Sequence, residues 1–297
     1  MQTTKDKFML KHDHTMKAYI SVDMEGMPGI YHVAQTAPKA FLHSEGRDIV
    51  TRITLLACEK LHANGVESIT VADSHWYMGN IYYEKLPDYV NLIRGSLRPV
   101  SMVYGIEEGY DFAIFLGYHS PAGTMHSILD HTYSGLSFSQ VRVNGRKASE
   151  FYINALYASE KNVPVILVAG DDRLGEDVKE ISPSTEYVVT KMSISRASAS
   201  MIPISRVEEQ LGRALENSLK NFKEGKIKAI PVPNRLVFEF VMRESEFADA
   251  GELIPGIERV DTYTLKYVTG EIGEGYRVMQ LLAMVSSYVD TSIQSLR

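Results

Sequence analysis

The sequence predicts an α/β fold: a mainly parallel central sheet flanked by helices, with a smaller C-terminal α+β lobe. Three observations predict it. Short apolar runs of strand character alternate with longer segments of helical periodicity, as in strand–helix–strand units. Two of the runs, DFAIFLGYH (111–119) and VPVILVAG (163–170), are apolar almost throughout, as strands covered on both faces are. Beyond residue 200 the alternation loosens.

The elements follow in order. In AYISVDMEGMPGI (18–30), Ala18, Ile20 and Val22 mark a short buried strand that ends at a Gly-Met-Pro-Gly turn. A helix is expected from about Glu45 to Asn64, with Ile49, Ile53, Leu56, Lys60 and Leu61 along one side, Val50 and Ala57 beside them, and Asn64-Gly65 as its stop. ESITVAD (67–73) is a second strand and 111–119 a third. GLSFSQVRVNGRKAS (135–149) alternates and carries the hairpin signal Asn144-Gly145. A helix over 149–161 leads to the buried strand at 163–170 and a shorter one, EYVVTK (186–191). Past residue 200 come an amphipathic helix (206–225), a strand RLVFEFVM (235–242), a strand-like segment (258–270) and an apolar helix (275–289). The expected organisation is an N-terminal extension (1–15), an α/β region (16–200) and a C-terminal α+β region (201–297).

Bulk properties narrow the function. Hydrophobic content of 44% with 23% charged residues excludes wholesale disorder. A net charge of −6 and the lack of a dense Lys/Arg cluster argue against a nucleic-acid groove. No apolar run approaches the ~20 residues of a membrane span. The single cysteine, Cys58, excludes an internal disulfide and suits a reducing, cytoplasmic setting. MQTTKDKFMLKHDHT has no secretory pattern, Met16 offers an alternative start, and His12 and His14 read as part of a polar tail.

The polar residues fall at strand ends. Asp23 and Glu25 lie two apart, so they point to the same side of the strand. Adjacent carboxylates repel, and such a pair needs a cation between its members or a proton on one. The second strand runs into VADSHW, with Asp73 and His75, and the third into FLGYHS, with His119. In open α/β sheets the carboxyl ends of strands line the ligand crevice, so these groups converge there. Two carboxylates and two imidazoles suit a divalent transition metal such as zinc. Asp73 has a second reading, as a turn residue or a hydrogen-bond partner of a ligating histidine. GTMHSILDHTYSG (123–135) adds His126, Asp130 and His131. By position alone, Glu150 is a first-turn acid behind the helix cap Ser149.

SVDMEG, ADSHW, GYHSPAG, LDHTYSG and SEFYINA stand in the order and approximate spacing of a known family. With them the chain resembles the D-aminopeptidase DppA family of zinc-dependent, M55-type peptidases, from about Met16 to Asp172 and loosely to the C-terminus. The resemblance implies five zinc ligands: Asp23, Glu25, His75, His119 and Glu150. It replaces the first-turn-acid reading of Glu150 and makes His131 a catalytic histidine that does not bind metal. It further implies two zinc ions per subunit, short peptides with an N-terminal D-residue such as D-Ala as substrates, and a decamer of two stacked pentamer rings. Five ligands suffice for two ions if one carboxylate bridges, and Asp23 is central enough to do so. Hydrolysis would then use metal-activated water with His131 assisting. The chain departs from the family pattern at Ser149 and Tyr152, where glycines are expected, and in its N-terminal extension. His126, Tyr133 and Asn154 are candidates for substrate contact or for plain surface and packing roles. Two alternatives stand beside this reading. One is another binuclear metallohydrolase, an amidase or phosphoesterase. The other is a non-enzymatic α/β ligand-binding module.

Overall fold

The computed structural model describes residues 15–295. The expected extension, with His12 and His14, lies outside the described residues apart from Thr15. The chain begins with β1 (Met16–Val22), α1 (Val33–Thr36), α2 (His43–Ala63), β2 (Val66–Asp73) and β3 (Val90–Ile93). Then come β4 (Phe112–Tyr118), β5 (Phe138–Val143), β6 (Arg146–Lys147), α3 (Glu150–Glu160), β7 (Val165–Asp171) and α4 (Asp172–Ile181). β8 (Glu186–Ser195), β9 (Ser198–Met201) and α5 (Ile204–Lys223) follow. The chain closes with β10 (Leu236–Met242), α6 (Ser245–Gly251), β11 (Glu258–Arg259), β12 (Thr264–Thr269) and α7 (Ile272–Gln294).

The large sheet has seven strands in the order β3-β2-β1-β4-β7-β8-β9. All its pairings are parallel except β8 with β9, which is antiparallel. The alternation inside β4 shows why its run is apolar on both sides. Phe112, Ile114 and Leu116 join the core that contains Val50 and Ile53 of α2 and Leu211 and Leu215 of α5. Ala113, Phe115 and Tyr118 join the opposite core, with Phe151 of α3 and Tyr276 of α7. Each fully buried Leu or Phe in these layers contributes about 1.5–3 kcal/mol.

The second sheet, β11-β12-β10-β5-β6, is antiparallel. Its middle strand β10 comes from beyond residue 200, while β5 and β6 come from before it, so this sheet spans the expected boundary. The Asn144-Gly145 turn closes β5 onto β6 as expected, both residues having positive φ.

Two details differ from the pattern read in the sequence. In α2 the buried stripe is Val50, Ile53, Ala57 and Leu61, with Ile49 and Leu56 only partly buried at its margin. The helix packs against α5 as well as the sheet, so Lys60 lies over Gly212 and Arg52 makes a two-pronged pair with Glu208. The strand expected at 186–191 continues to Ser195 because β9, a short run of Ser and Ala ending at Met201, folds back and pairs with it. No helix among the described residues is long and apolar enough to cross a membrane.

Candidate metal centre

β1, β2 and β4 end side by side in the large sheet, and Asp23, His75 and His119 follow their last residues closely. Two glycines let the ends close up. A Cβ on Gly26 would stand 1.7 Å from the Tyr118 carbonyl oxygen, and one on Gly117 would stand 2.1 Å from that of Asp23. Gly117 also has φ +73°, where side chains are strained. In this space the Asp23 N–H donates to the Leu116 carbonyl (2.8 Å) and the Gly26 N–H to that of Gly117 (2.7 Å).

Five expected ligands converge, all buried. His75 Nδ1 lies 3.1 Å from Asp23 Oδ1 and 3.0 Å from Glu25 Oε2. His119 Nε2 lies 3.4 Å from Asp23 Oδ2 and 3.5 Å from Glu150 Oε1. The site thus falls into two halves, with one oxygen of Asp23 directed at each. His131 joins the second half: its Nε2 is 3.7 Å from Glu150 Oε1, and its ring stacks on His119 with centroids 4.1 Å apart. By geometry alone, Asp23–Glu25–His75 and His119–His131–Glu150 are both compact enough to hold an ion.

Each histidine is fixed through its other nitrogen. His75 Nε2 is 3.1 Å from the Thr36 carbonyl, His119 Nδ1 is 3.0 Å from that of Ser120, and His131 Nδ1 is 2.8 Å from that of Leu129. An N–H donated to each carbonyl turns the other ring nitrogen toward the carboxylates, where it can bind a metal once it is unprotonated.

The electrostatics fit a cation. Burial and the neighbouring Glu25 push Asp23 up to about 8, despite the hydrogen bond with His75. Glu25 is buried too, yet His75 holds it well below the usual carboxylate range. Two adjacent buried acids are thus driven to share a proton unless a cation balances them. Burial disfavours charge on the imidazoles, but Glu25 and Asp23 hold His75 well above its ordinary value, and Glu150 and Asp23 lift His119 to about 10. Asp23 Oδ2 and His119 Nε2 are buried without a hydrogen-bond partner. Orphaned polar atoms at this depth are costly unless something binds them. Three carboxylates and two imidazoles with oriented ring nitrogens fit divalent zinc.

The other candidates are dispersed. Asp73 accepts from Asn80 N, Asn80 Nδ2 and Ile81 N, and Asn80 in turn donates to the His75 carbonyl, so Asp73 anchors the loop behind His75. His126 is exposed on a backbone with positive φ. Asn154 is fully buried and donates to the Tyr118 hydroxyl. The Tyr133 N–H donates to Glu150 Oε1 at 2.7 Å. Ser149 does cap α3, accepting from the Tyr152 N–H, so Glu150 opens that helix while aiming its carboxylate at His119.

Several supporting residues escaped the sequence reading. Asp171 accepts from the Ser120 N–H and hydroxyl beside His119. Arg196 binds the Asp130 carbonyl and carboxylate next to His131. Lys191 of β8 is fully buried, and burial pushes its ammonium down to about 7 against the pull of Asp171 and Glu25. Lys191 lies inside β8, level with Asp171 at the end of β7, and a rule that looked for acids and histidines at strand ends passed over it.

The sequence profile of the M55 peptidases, described as D-aminopeptidase, matches residues 16–281. The D-aminopeptidase of Bacillus subtilis (strain 168) is 31% identical over 277 residues, covering 92% of this chain and 100% of the relative. The solved structure of DppA from Bacillus subtilis, a Zn-dependent D-aminopeptidase and self-compartmentalizing protease, superposes with a TM-score of 0.87 at 29% identity, covering 92% of this chain and 98% of that one. These likenesses extend over the α/β core and the strand-end centre alike, and the chain belongs to the M55 family of D-aminopeptidases.

Proposed function

We propose that the chain is a binuclear zinc aminopeptidase that removes N-terminal D-residues, D-Ala among them, from short peptides. The carrying observation is the division of Asp23, with one oxygen toward His75 and the other toward His119. Asp23, Glu25 and His75 would hold one ion, and Asp23, His119 and Glu150 the other. Two zinc ions in such a site lower the pKa of water toward neutrality and polarise the scissile carbonyl.

The chain's own groups do the rest. His131 moves the proton. Its Nδ1 is anchored on the Leu129 carbonyl, and burial together with the neighbouring His119 lowers its pKa. This favours the neutral ring, whose Nε2 can accept a proton and pass it to the leaving amine. Its side chain keeps 19% exposure, so a substrate can reach it. Glu150 is steadied by the Tyr133 N–H.

Purified protein offered paired D- and L-alanyl amides should cleave the D-form and carry more than one equivalent of zinc. Equal cleavage of both, or intact activity after chelation, would contradict the reading. We also assign the chain to the cytoplasm and to a closed decamer of two pentamer rings. The single buried Cys58 and the self-compartmentalizing relative support this. Light scattering should return a mass many times 33.3 kDa, and a monomer at all concentrations would exclude the ring.

A further inference from the structure

The segment from Asp23 to Ile30 crosses the sheet. It leaves β1, passes over the end of β4, where Gly26 meets Tyr118, and reaches β8, two strands further on. Two of its N–H groups are held by β4: Asp23 N by Leu116 and Gly26 N by Gly117. Three of its carbonyls, those of Glu25, Gly26 and Ile30, are held by β8. The Lys191 ammonium donates to the Glu25 carbonyl at 2.5 Å and to the Ile30 carbonyl at 2.6 Å. The Thr190 hydroxyl lies 2.6 Å from the Gly26 carbonyl and 3.0 Å from that of Gly170. Both residues are buried.

We propose that Thr190 and Lys191 are positioning residues for the Asp23–Glu25–His75 half of the centre, a two-residue clamp that fixes the Glu25 backbone so that its carboxylate meets His75. The inference rests on the binuclear zinc reading. It follows from how the bonds are distributed. Asp23 has its own anchor on β4, and His119 follows β4 and Glu150 opens α3, neither of which receives a hydrogen bond from either side chain. Glu25 is the ligand whose own carbonyl ends on Lys191. A buried carbonyl that loses its donor must find another or move, and movement here carries the Glu25 carboxylate with it. The clamp therefore acts on one ion and not on the other.

The test uses the full chain, stripped of metal and titrated with zinc against a chromophoric chelator to obtain both dissociation constants. The melting temperature of the stripped protein is measured in parallel. Lys191→Met keeps the length of the side chain and removes its donors. It should weaken one zinc site by about 10–100-fold, the range for a lost supporting hydrogen bond, and leave the other unchanged. Thr190→Val should weaken the same site, and Thr190→Ser, which keeps the hydroxyl, should restore it. In a His75→Ala background, where the first site is already crippled, Lys191→Met should leave the remaining constant unaltered. A folded Lys191→Met protein whose two constants both stay at the wild-type value, or both shift together, would overturn the clamp, even if its melting temperature falls. If Lys191→Met does not fold, Thr190→Val decides by the same criterion. Wild-type protein binding fewer than two zinc ions would instead overturn the binuclear reading itself.

Discussion

Asp23 Oδ2 and His119 Nε2 stand 3.4 Å apart, both buried and neither with a hydrogen-bond partner. The other oxygen of the same carboxylate lies 3.1 Å from His75 Nδ1. One aspartate thus serves two clusters, and removing it should affect both. Asp23→Ala is expected to lose both zinc ions, whereas His75→Ala should lose one and keep the other. Elemental analysis of the purified variants checks this. An Asp23→Ala protein that retains a full equivalent would show that the second cluster closes without it, through His131.

His119 and His131 are stacked, yet they are expected to do different work. His119→Ala should lose metal in proportion to activity. His131→Ala should keep both ions and the wild-type melting temperature while turnover falls by roughly 10²–10⁴, the value of a general acid–base group. Zinc content, melting temperature and steady-state rate, measured together on a D-alanyl peptide, separate the two. Near-normal turnover in His131→Ala would reduce that residue to a turn anchor.

The close approach of β1 and β4 depends on Gly117. Gly117→Ala brings a methyl against the Asp23 carbonyl and strains a backbone at φ +73°. It should cost at least the ~1–3 kcal/mol of backbone strain and impair zinc binding by shifting Asp23. Gly65 also has positive φ, at +85°, but open space around it, so Gly65→Ala should carry strain alone and leave zinc binding intact. Denaturant melts of the stripped proteins, with zinc titrations, compare the two. Equal zinc affinity in both variants would remove the steric argument.

Zinc uptake should release protons. Burial works against a charged His119, but Glu150 and Asp23 raise it to about 10, so the ring carries a proton at neutral pH that must leave before Nε2 can bind metal. The sign follows: below pH 10 protons compete with zinc, and affinity weakens as pH falls. Calorimetry in buffers of different ionisation enthalpy reads the proton count directly. Uptake without proton release near pH 7 would contradict the charge state derived for the imidazoles.

Much of this architecture was legible in the sequence, for physical reasons. The β4 run is apolar because both its faces are covered, and that pattern needs no knowledge of its neighbours. The candidate ligands stood out because α/β sheets gather strand ends at one edge, so Asp23, His75 and His119 could be grouped from three distant stretches. Glu150 could not be grouped this way, because the same residue serves as a first-turn acid and only the family resemblance assigned it to the centre. α4 was missed because Leu174 and Val178 are the only residues it buries in an otherwise charged stretch. β3 and β9 are four-residue strands at the two edges of the sheet, too short to show a period. The pairing of β5 with β10 joins segments about a hundred residues apart, and no local pattern encodes it. The hydrogen bonds of Lys191 to the Glu25 carbonyl and of Thr190 to that of Gly26 escaped for the same reason.

Two zinc ions serving D-selective hydrolysis can be read in one titration: metal-stripped protein is titrated with zinc, and cleavage of D-alanyl and L-alanyl amides is followed at each addition. The expected result is no activity without metal, a rise that reaches its plateau at two equivalents per chain, and cleavage of the D-substrate in strong preference to the L-form. Full activity in the stripped protein, a plateau at one equivalent, or preference for the L-substrate would contradict it.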